Sequence, residues 1–221
     1  MEFRRSLSNA DLADLVCRQA NSVIPDGTLL DPSAMQGVVD ESMTRLFDCF
    51  KNIKKKYYQE DGHVVFNHLN SDHWAMFLYL VSNTVHRSGR DEATASKLFM
   101  LNKALHGLDA FFAITLPETF LFVHPVGTVL GNAKYGNFFA VYQNCAIGAT
   151  ENGYPTFGDG VIMYAKSGCL GGCKVGSNVV FGANCFSLDV DVPDNSTVVG
   201  IYPSVRILSN GTTVQERIFG W

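Results

Sequence analysis

Apolar residues recur every six positions through the second half of the chain. The residues at these places are Phe157, Met163, Cys169, Val175 and Phe181, with the small Ser187 next. Small or β-branched residues stand four positions after the first five, at Val161, Ser167, Cys173, Val179 and Cys185. This period is typical of a parallel β-helix whose triangular coils each contain three hexapeptides. We expect the leading residues to point inward, and the glycines that follow several of them to form the turns.

Counted back from Ile147, the same six-residue interval gives Val141 and Tyr135, and Leu130 is then out of step by one residue. We therefore predict a one-residue deletion or a distorted corner within residues 132–136. A β-sandwich with glycine turns is the alternative fold. It would show two-residue alternation and turns every eight to twelve residues. A register that holds over five consecutive repeats favours the β-helix.

The first half of the chain follows a helical period instead. Four helices are predicted to begin near Ser8, Asp31, Ser71 and Asp91 and to end near Pro25, Phe50, Ser88 and Phe112. The last of them is expected to bury Leu98, Leu101, Leu105 and Leu108. The predicted fold class is therefore α+β, with a helical region at residues 1–117, a β-helix at 118–208 and a carboxyl-terminal tail at 209–221.

Composition narrows the classes of function. The chain has 221 residues, 47% of them hydrophobic, and a net charge of -4, which gives no sign of a nucleic-acid partner. The one basic cluster, at residues 51–56, is predicted to be a solvated helix end. No segment approaches the roughly 20 apolar residues that span a bilayer, so we expect no membrane partner. Six cysteines without a Cys-x-x-Cys pair indicate a reducing cytoplasm and no metal site.

His124 is the only histidine between Gly107 and Trp221, and it stands where the repeat begins. A histidine can act as a general base near neutral pH, because its ordinary pKa is about 6.5. The alternative is a corner histidine with a purely structural role. The residues that follow His124 in the sequence help to decide between a catalytic and a structural role.

Three stretches carry a resemblance to a known family. They are residues 124–131 (HPVGTVLG), residues 143–150 (QNCAIGAT), and a closing region with Pro193, residues 199–200 (VG) and residues 203–207 (PSVRI). With the preceding helices, the chain resembles the bacterial serine O-acetyltransferases of the left-handed β-helix acyltransferase family. The resemblance runs from about Tyr79 to Ile207. The hexapeptides alone indicate only the superfamily, whereas the histidine segment together with the closing region indicates the serine acetyltransferase branch.

The resemblance implies an acetyl transfer from acetyl-coenzyme A with His124 as general base. A hydroxyl is a poor nucleophile at neutral pH, so a base must take its proton as the new bond forms, and histidine can then return that proton to the departing thiolate. Asp109 lies fifteen residues earlier, the family's spacing for a carboxylate that orients the ring. The alternative for Asp109 is an exposed carboxylate at a helix end.

The resemblance also implies a cofactor groove between adjacent β-helices, and hence a homotrimer or a dimer of trimers. Position by position, it assigns cofactor contacts to Gly148, Ala149, Ala165 and Ala183, with Lys166 and Arg206 as candidates for the phosphates. Small residues at corners are also structural, and the two cations are equally well explained as surface charge.

Two positions depart from the family pattern and leave the acceptor open. Val123 stands where the family has aspartate before the histidine, and Tyr154 stands where it has a second histidine. Tyrosine can still donate a hydrogen bond to a carboxylate, but valine cannot replace an acid. Asp72 is a candidate for the amino contact, or else the N-cap of the third helix. The acceptor is serine or a related small hydroxy amino acid, or a sugar or antibiotic-type molecule.

A non-transferase function is the third class. A zinc carbonic anhydrase on this fold needs three histidines on the coils. This β-helix has one, so we expect no metal. A non-catalytic structural trimer would make His124 dispensable.

Overall fold

The computed structural model describes residues 1–89 and 91–220, which form two compact units. One unit comprises Met1–Lys51 and Lys55–Ala113, and the other comprises Asn52–Lys54 and the chain from Ile114 onward. The finer division predicted at residues 117 and 208 stays a prediction. The predicted tail ends at Trp221, which lies outside the described residues.

The first unit contains the four long helices that the sequence predicts. They are α1 (Asn9–Val23), α2 (Pro32–Phe50), α3 (Ser71–Arg87) and α4 (Glu92–His106). Ser8 caps α1 by accepting a hydrogen bond from the Asp11 N–H at 3.2 Å, and Asp31 caps α2 with Pro32 in the first turn. Both caps confirm the predicted starts.

The fourth helix ends earlier than predicted. Gly107 follows it in a left-handed conformation with φ +62°, and its N–H donates to the Lys103 carbonyl at 2.9 Å. Leu108 is buried beyond this cap, whereas Leu105 is 42% exposed on the helix. The prediction was wrong because the apolar period continues to Leu108, whereas the left-handed Gly107 already ends the helix.

The helical unit also holds strands that the sequence period does not predict. β1 (Phe3–Arg5), β2 (Gln59–Glu60) and β3 (His63–Phe66) form a sheet in the order β1-β3-β2. β4 (Asp109–Ala110) follows α4. Strands of two to four residues are too short to show alternation, so nothing in their hydrophobic pattern marks them.

The second unit is a parallel β-helix with three faces. The first face carries β5 (Phe120–Phe122), β7 (Phe139–Val141), β10 (Val161–Met163), β13 (Val179–Phe181) and β15 (Ser196–Val199), with β16 (Arg206–Ser209) antiparallel to β15 at its edge. The second carries β6 (Val129–Leu130), β8 (Ala146–Gly148), β11 (Gly168–Leu170) and β14 (Phe186–Leu188). The third carries β9 (Thr156–Phe157) and β12 (Lys174–Val175).

The predicted hexapeptide register is confirmed. All six leading residues from Phe157 to Ser187 are at most 3% exposed. Met163 pairs in register with Phe181, eighteen residues later, which is one coil of three hexapeptides. Leu130 pairs with Ile147, only seventeen residues later. Lys134 forms a bridge with Thr156, so the coils are back in register by Lys134. The missing residue therefore lies between Leu130 and Lys134, in the region where the out-of-step frame predicts it.

The role predicted for the glycines after the leading residues was wrong. Gly158, Gly176 and Gly182 are absent from the positive-φ residues, so none of them makes a left-handed turn. Instead, a Cβ at Gly158 would lie 2.8 Å from the backbone of Gly176 in the next coil. Glycine is needed there because two backbones approach too closely for any side chain. The left-handed turns stand three residues before the leaders, as at Asn178 with φ +56°.

The chain after β16 runs back along one corner of the β-helix. The Asn210 N–H donates to the Asn195 carbonyl at 2.8 Å, and the Val214 N–H donates to Asn178 Oδ1 at 2.9 Å. Val214 begins the short helix α5 (Val214–Arg217). The Phe219 ring then lies 5.7 Å from the Phe138 ring. These contacts lie on progressively earlier coils, so the segment after β16 is part of the β-helix unit.

Candidate active site

His124 lies in a corner that is enlarged by two residues. Leu130 follows Phe122 by eight positions where the repeat requires six. The additional chain forms a tight turn in which the Val126 N–H donates to the His124 carbonyl at 2.7 Å. His124 has φ +48°, a conformation that costs a non-glycine residue on the order of 1 kcal/mol. Its side chain is exposed at this corner.

The His124 turn begins a column of stacked corners. The Asn144 N–H donates to the Val126 carbonyl at 2.9 Å. In the same way, the Lys166 N–H donates to the Gln143 carbonyl at 2.9 Å, and the Asn184 N–H donates to the Ala165 carbonyl at 3.0 Å. Gly127, Asn144, Lys166 and Asn184 all have positive φ, because each makes the same turn one coil further on. We name this column the His124 corner.

Three of the six predicted cofactor residues lie on the His124 corner. Ala165 and Lys166 occupy one coil of it, and Ala183 occupies the next. Since adjacent coils are about 4.8 Å apart, Ala183 lies roughly 14 Å along the axis from the His124 turn. The Ala165 side chain is half-buried, and Lys166 and Ala183 are exposed.

Two of the other three predicted cofactor residues lie away from this corner. Gly148 ends β8 and pairs with Leu170, and Ala149 follows it, so both lie at the edge of the second face away from the His124 corner. Arg206 begins β16 and pairs with Val199, the residue in register with Gly182, so it lies on the same side as the His124 corner, beyond Ala183. Within one chain, the six positions do not form a single cluster.

Tyr154 lies on a loop inserted into the β-helix. Phe157 follows Ile147 by ten positions instead of six, and the extra residues fold back where Thr150 and Gly153 exchange two backbone hydrogen bonds of 3.1 Å. Tyr154 is 45% exposed, and its ring covers Gly131, where a Cβ would lie 2.9 Å from Tyr154 Cε1. Gly131 follows β6 at the end away from the His124 turn. Tyr154 and His124 therefore lie at opposite edges of the second face.

Asp109 and Asp72 belong to the helical unit. Asp109 Oδ2 accepts a hydrogen bond from Lys103 Nζ at 2.6 Å, and the Asp109 side chain is 32% exposed. Asp72 lies in the first turn of α3, but Asn70 is the cap, with Oδ1 accepting from the Asp72 N–H at 3.0 Å. The alternative that makes Asp72 the N-cap was therefore wrong. The pairing of Asp109 with His124 and the amino contact of Asp72 stay predictions.

The cysteines of the β-helix are core residues. Cys145, Cys169, Cys173 and Cys185 are all buried, as the repeat predicts for the two leading or corner positions Cys169 and Cys173. Burial raises the pKa of Cys185 to about 12, so this thiol stays protonated and packs as a small apolar group. The described residues contain no disulfide and no group of three metal-binding side chains. Nor do they include a helix long and apolar enough to cross a membrane.

Sequence reasoning missed Asp189, which the structure places beside the Tyr154 loop. Its Oδ1 accepts hydrogen bonds of 3.0 Å from Thr150 Oγ1 and from the Gly172 N–H. It also missed the corner residues of the repeat. Asn144, Asn178, Asn184 and Asn195 all stand three positions before an inward leader and all have positive φ. Asparagine tolerates this conformation, so their recurrence was a readable signal.

The fold and this corner define a class: a left-handed β-helix protein of the hexapeptide-repeat kind, preceded by helices. Two solved structures share the fold. A Neisseria gonorrhoeae serine acetyltransferase in complex with serine superposes with TM-score 0.69 at 21% identity, covering 92% of this chain and 84% of its own. A serine acetyltransferase from Brucella abortus superposes with TM-score 0.68 at 18% identity, covering 91% and 84%.

Curated relatives are similar in sequence. A serine acetyltransferase of Staphylococcus aureus is 30% identical over 145 residues, covering 63% of this chain and 67% of its own. The chain belongs to the serine acetyltransferase family. Serine acetyltransferases of Staphylococcus epidermidis (31% identical over 132 residues, 58% of this chain) and Bacillus pumilus (32% over 134 residues, 55%) are also similar, and the chain spans 61% of the length of each. No protein-family model matches the chain.

Proposed function

We propose that this protein transfers an acetyl group from acetyl-coenzyme A to the hydroxyl of serine or a related small hydroxy amino acid. The observation that carries the proposal is the His124 corner, a single column of stacked turns that holds the histidine turn and three of the predicted cofactor residues. Membership of the serine acetyltransferase family supports the reaction, and relatives of that name support the acceptor.

His124 is the general base in this proposal. Its imidazole takes the acceptor's hydroxyl proton as the oxygen attacks the thioester carbonyl. The carbon–sulfur bond then breaks, and the imidazolium returns the proton to the thiolate of coenzyme A. Asp109 is the proposed orienting carboxylate, which would fix the ring tautomer and stabilise the imidazolium. The exposure of His124 at its corner suits a group that must reach both substrates.

The cofactor would lie along the His124 corner. Ala165 and Ala183 leave room for a narrow chain there, and Lys166 adds a cation for the phosphates. Gly148 and Ala149 stand away from this corner, so we propose that a neighbouring copy contributes them. Arg206 lies beyond Ala183 on the same side of the β-helix, so it is a second candidate for the phosphates from the chain that carries His124.

The same argument leads to a homotrimer or a dimer of trimers with shared sites. Because Tyr154 and His124 lie at opposite edges of one face, a groove between two β-helices can be lined by the His124 corner of one copy and the Tyr154 edge of the next. Exposed apolar residues beside the His124 corner also favour a covered surface, since Val126 is 60% and Val129 is 47% exposed.

The acceptor site would use Tyr154 and Asp72. The Tyr154 hydroxyl can donate to an acceptor carboxylate, and Asp72 can accept from its ammonium group. Val123 favours a second candidate, O- or N-acetylation of a sugar or an antibiotic-type acceptor. It places an apolar, half-buried side chain directly before His124, where it cannot hold an ammonium group.

A cytoplasmic location and small-molecule substrates complete the proposal. The net charge of -4 does not suit a nucleic-acid surface, and six cysteines without a disulfide in the described residues suit a reducing compartment. We propose no resident metal.

The direct test is an acceptor panel. The purified protein is incubated with acetyl-coenzyme A and either serine, homoserine, threonine, an amino sugar or no acceptor, and release of free thiol is followed. Release that depends on serine or homoserine supports the first proposal, and release only with the amino sugar selects the second. Absence of acceptor-dependent release with every compound overturns both.

A further inference from the structure

The loop that carries Tyr154 is bonded to the following coils through one carboxylate. Asp189 Oδ1 accepts from Thr150 Oγ1 at 3.0 Å and from the Gly172 N–H at 3.0 Å. Thr150 Oγ1 in turn accepts from the Asn152 N–H at 3.1 Å. Asp189 stands 39 positions after Thr150 in the chain. Its carboxylate therefore joins the loop both to the coil of Gly172 and to the coil of Asp189 itself.

Two glycines make this bonding possible. A Cβ at Gly171 would lie 1.9 Å from Asp189 Oδ1, so any side chain there would displace the carboxylate. A Cβ at Gly172 would lie 2.0 Å from the Asn152 carbonyl oxygen. The coil below the loop therefore leaves space for the carboxylate and for the loop backbone. We name Asp189, Thr150 and Gly172 the loop clamp.

The clamp and Gly131 hold opposite sides of the loop. The Tyr154 ring rests on Gly131 in the coil before the loop, and the clamp holds Thr150 from the coils after it. Four residues after Thr150, the ring is thus fixed in a short loop that is tied at both sides. An untied loop of this length would sample many conformations, which would have to be lost when an acceptor binds.

We propose that Asp189 is a positioning residue that sets the place of the Tyr154 hydroxyl, and so the affinity for the acceptor. This inference rests on the proposed function for its kinetic consequence, whereas the clamp itself is a feature of the loop. Asp189 touches no reacting atom in this proposal. Its effect reaches the acceptor through Thr150 and Tyr154.

The kinetic test uses two disruptive variants with matched conservative partners. Thr150→Val removes the hydroxyl at nearly constant volume, and Thr150→Ser keeps it. Asp189→Gly removes the carboxylate while accepting the residue's φ of +52°, and Asp189→Asn keeps Oδ1 and also tolerates that conformation. We expect Thr150→Val and Asp189→Gly to raise KM for the acceptor about tenfold, with kcat and KM for acetyl-coenzyme A changed less than about twofold. The conservative partners should stay near the parent protein.

A Tyr154→Phe background separates positioning from general support. If Asp189 acts through the Tyr154 hydroxyl, Asp189→Gly should change KM for the acceptor less than about twofold in that background, because the group that it positions is gone. An equal effect in both backgrounds, or an unchanged KM in Asp189→Gly alone, overturns the proposal.

Hydrogen exchange tests the clamp without any activity. The Asn152 and Gly153 amides are bonded within the loop, and we expect their exchange to accelerate at least about tenfold in Thr150→Val and Asp189→Gly but not in Thr150→Ser. Amides of β10 and β13 serve as internal controls. Faster loop exchange without activity on any acceptor would leave the clamp standing and remove the proposed function. Unchanged loop exchange overturns the clamp whatever the activity.

Discussion

Gly127 and Asn144 stack so closely that a Cβ on Gly127 would lie 2.5 Å from Asn144 Oδ1. The glycine also has φ +73°, and its neighbour Val126 accepts the Asn144 N–H at 2.9 Å. The turn that presents His124 is therefore seated directly on the coil below it. The position of this turn therefore depends on glycine at residue 127, where a side chain would collide with Asn144.

Gly127→Ala should destabilise the protein by more than the cost of placing alanine in a left-handed conformation, because the new Cβ also collides with Asn144. Gly62 is the matched control, because it has φ +76° but open space around its Cβ position. We expect Gly62→Ala to lower the free energy of unfolding by about 1 kcal/mol, and Gly127→Ala by a further 1–3 kcal/mol, roughly the cost of overpacking. Urea unfolding of the two variants measures the difference. Equal losses would show that the Asn144 side chain simply moves aside.

His124→Asn should abolish most of the activity while leaving the fold intact. Asparagine tolerates positive φ but cannot act as a general base, so the backbone turn is kept and only the chemistry is removed. We expect kcat/KM to fall by about 10²–10⁴. The measurement is acceptor-dependent thiol release, with the unfolding midpoint as a check and His86→Asn as a control on the helical unit. Activity within threefold of the parent would exclude His124 as the base.

Stability should fall in acid because of a buried histidine in the helical unit. Burial lowers the pKa of His73 to about 4, and its Nδ1 accepts the Asn67 N–H at 3.1 Å. The unfolded chain binds this proton at a pKa near 6.5. Between these values the unfolded state holds more protons, so the stability present above about pH 6.5 is lost as pH falls toward 4, at up to about 1.4 kcal/mol per pH unit.

His73→Gln tests this assignment, since glutamine can still accept from the Asn67 N–H but does not titrate. Urea unfolding between pH 7 and 4 should show a shallower loss of stability in the variant. Some slope will remain, because burial also lowers the pKa of His106. Equal slopes in the two proteins would contradict a major contribution from His73.

Mixed oligomers test the shared site. His124→Asn supplies an intact Tyr154 edge, and Tyr154→Ala supplies an intact His124 corner. If each site combines the two edges from different copies, co-expression of the variants should restore activity well above the sum of the two alone. Light scattering on the same samples reports the size of the assembly. A fully active monomer, or no restoration on mixing, would place the whole site within one chain.

Much of the fold could be read from local signals. The inward residues of the β-helix repeat at a fixed interval because each coil meets the same three-sided core, so Phe157, Met163 and Phe181 identify it without long-range information. Helix starts at Ser8 and Asp31 follow from capping, which is equally local. The end of α4 was misplaced because a glycine cap competes with an apolar period that continues beyond it.

The sequence alone determined the repeat, the helix starts and the position of His124 at its beginning, because each depends on residues only a few positions apart. Only the tertiary structure decided which corner residues share a column with His124, that Tyr154 lies at the opposite edge, and that Asp189 holds its loop. These relations depend on how coils stack, with adjacent coils 17 to 22 residues apart along the chain, and small insertions in individual coils shift the alignment. The sequence period therefore predicts the individual coils, and the stacking of those coils determines which corner residues become neighbours.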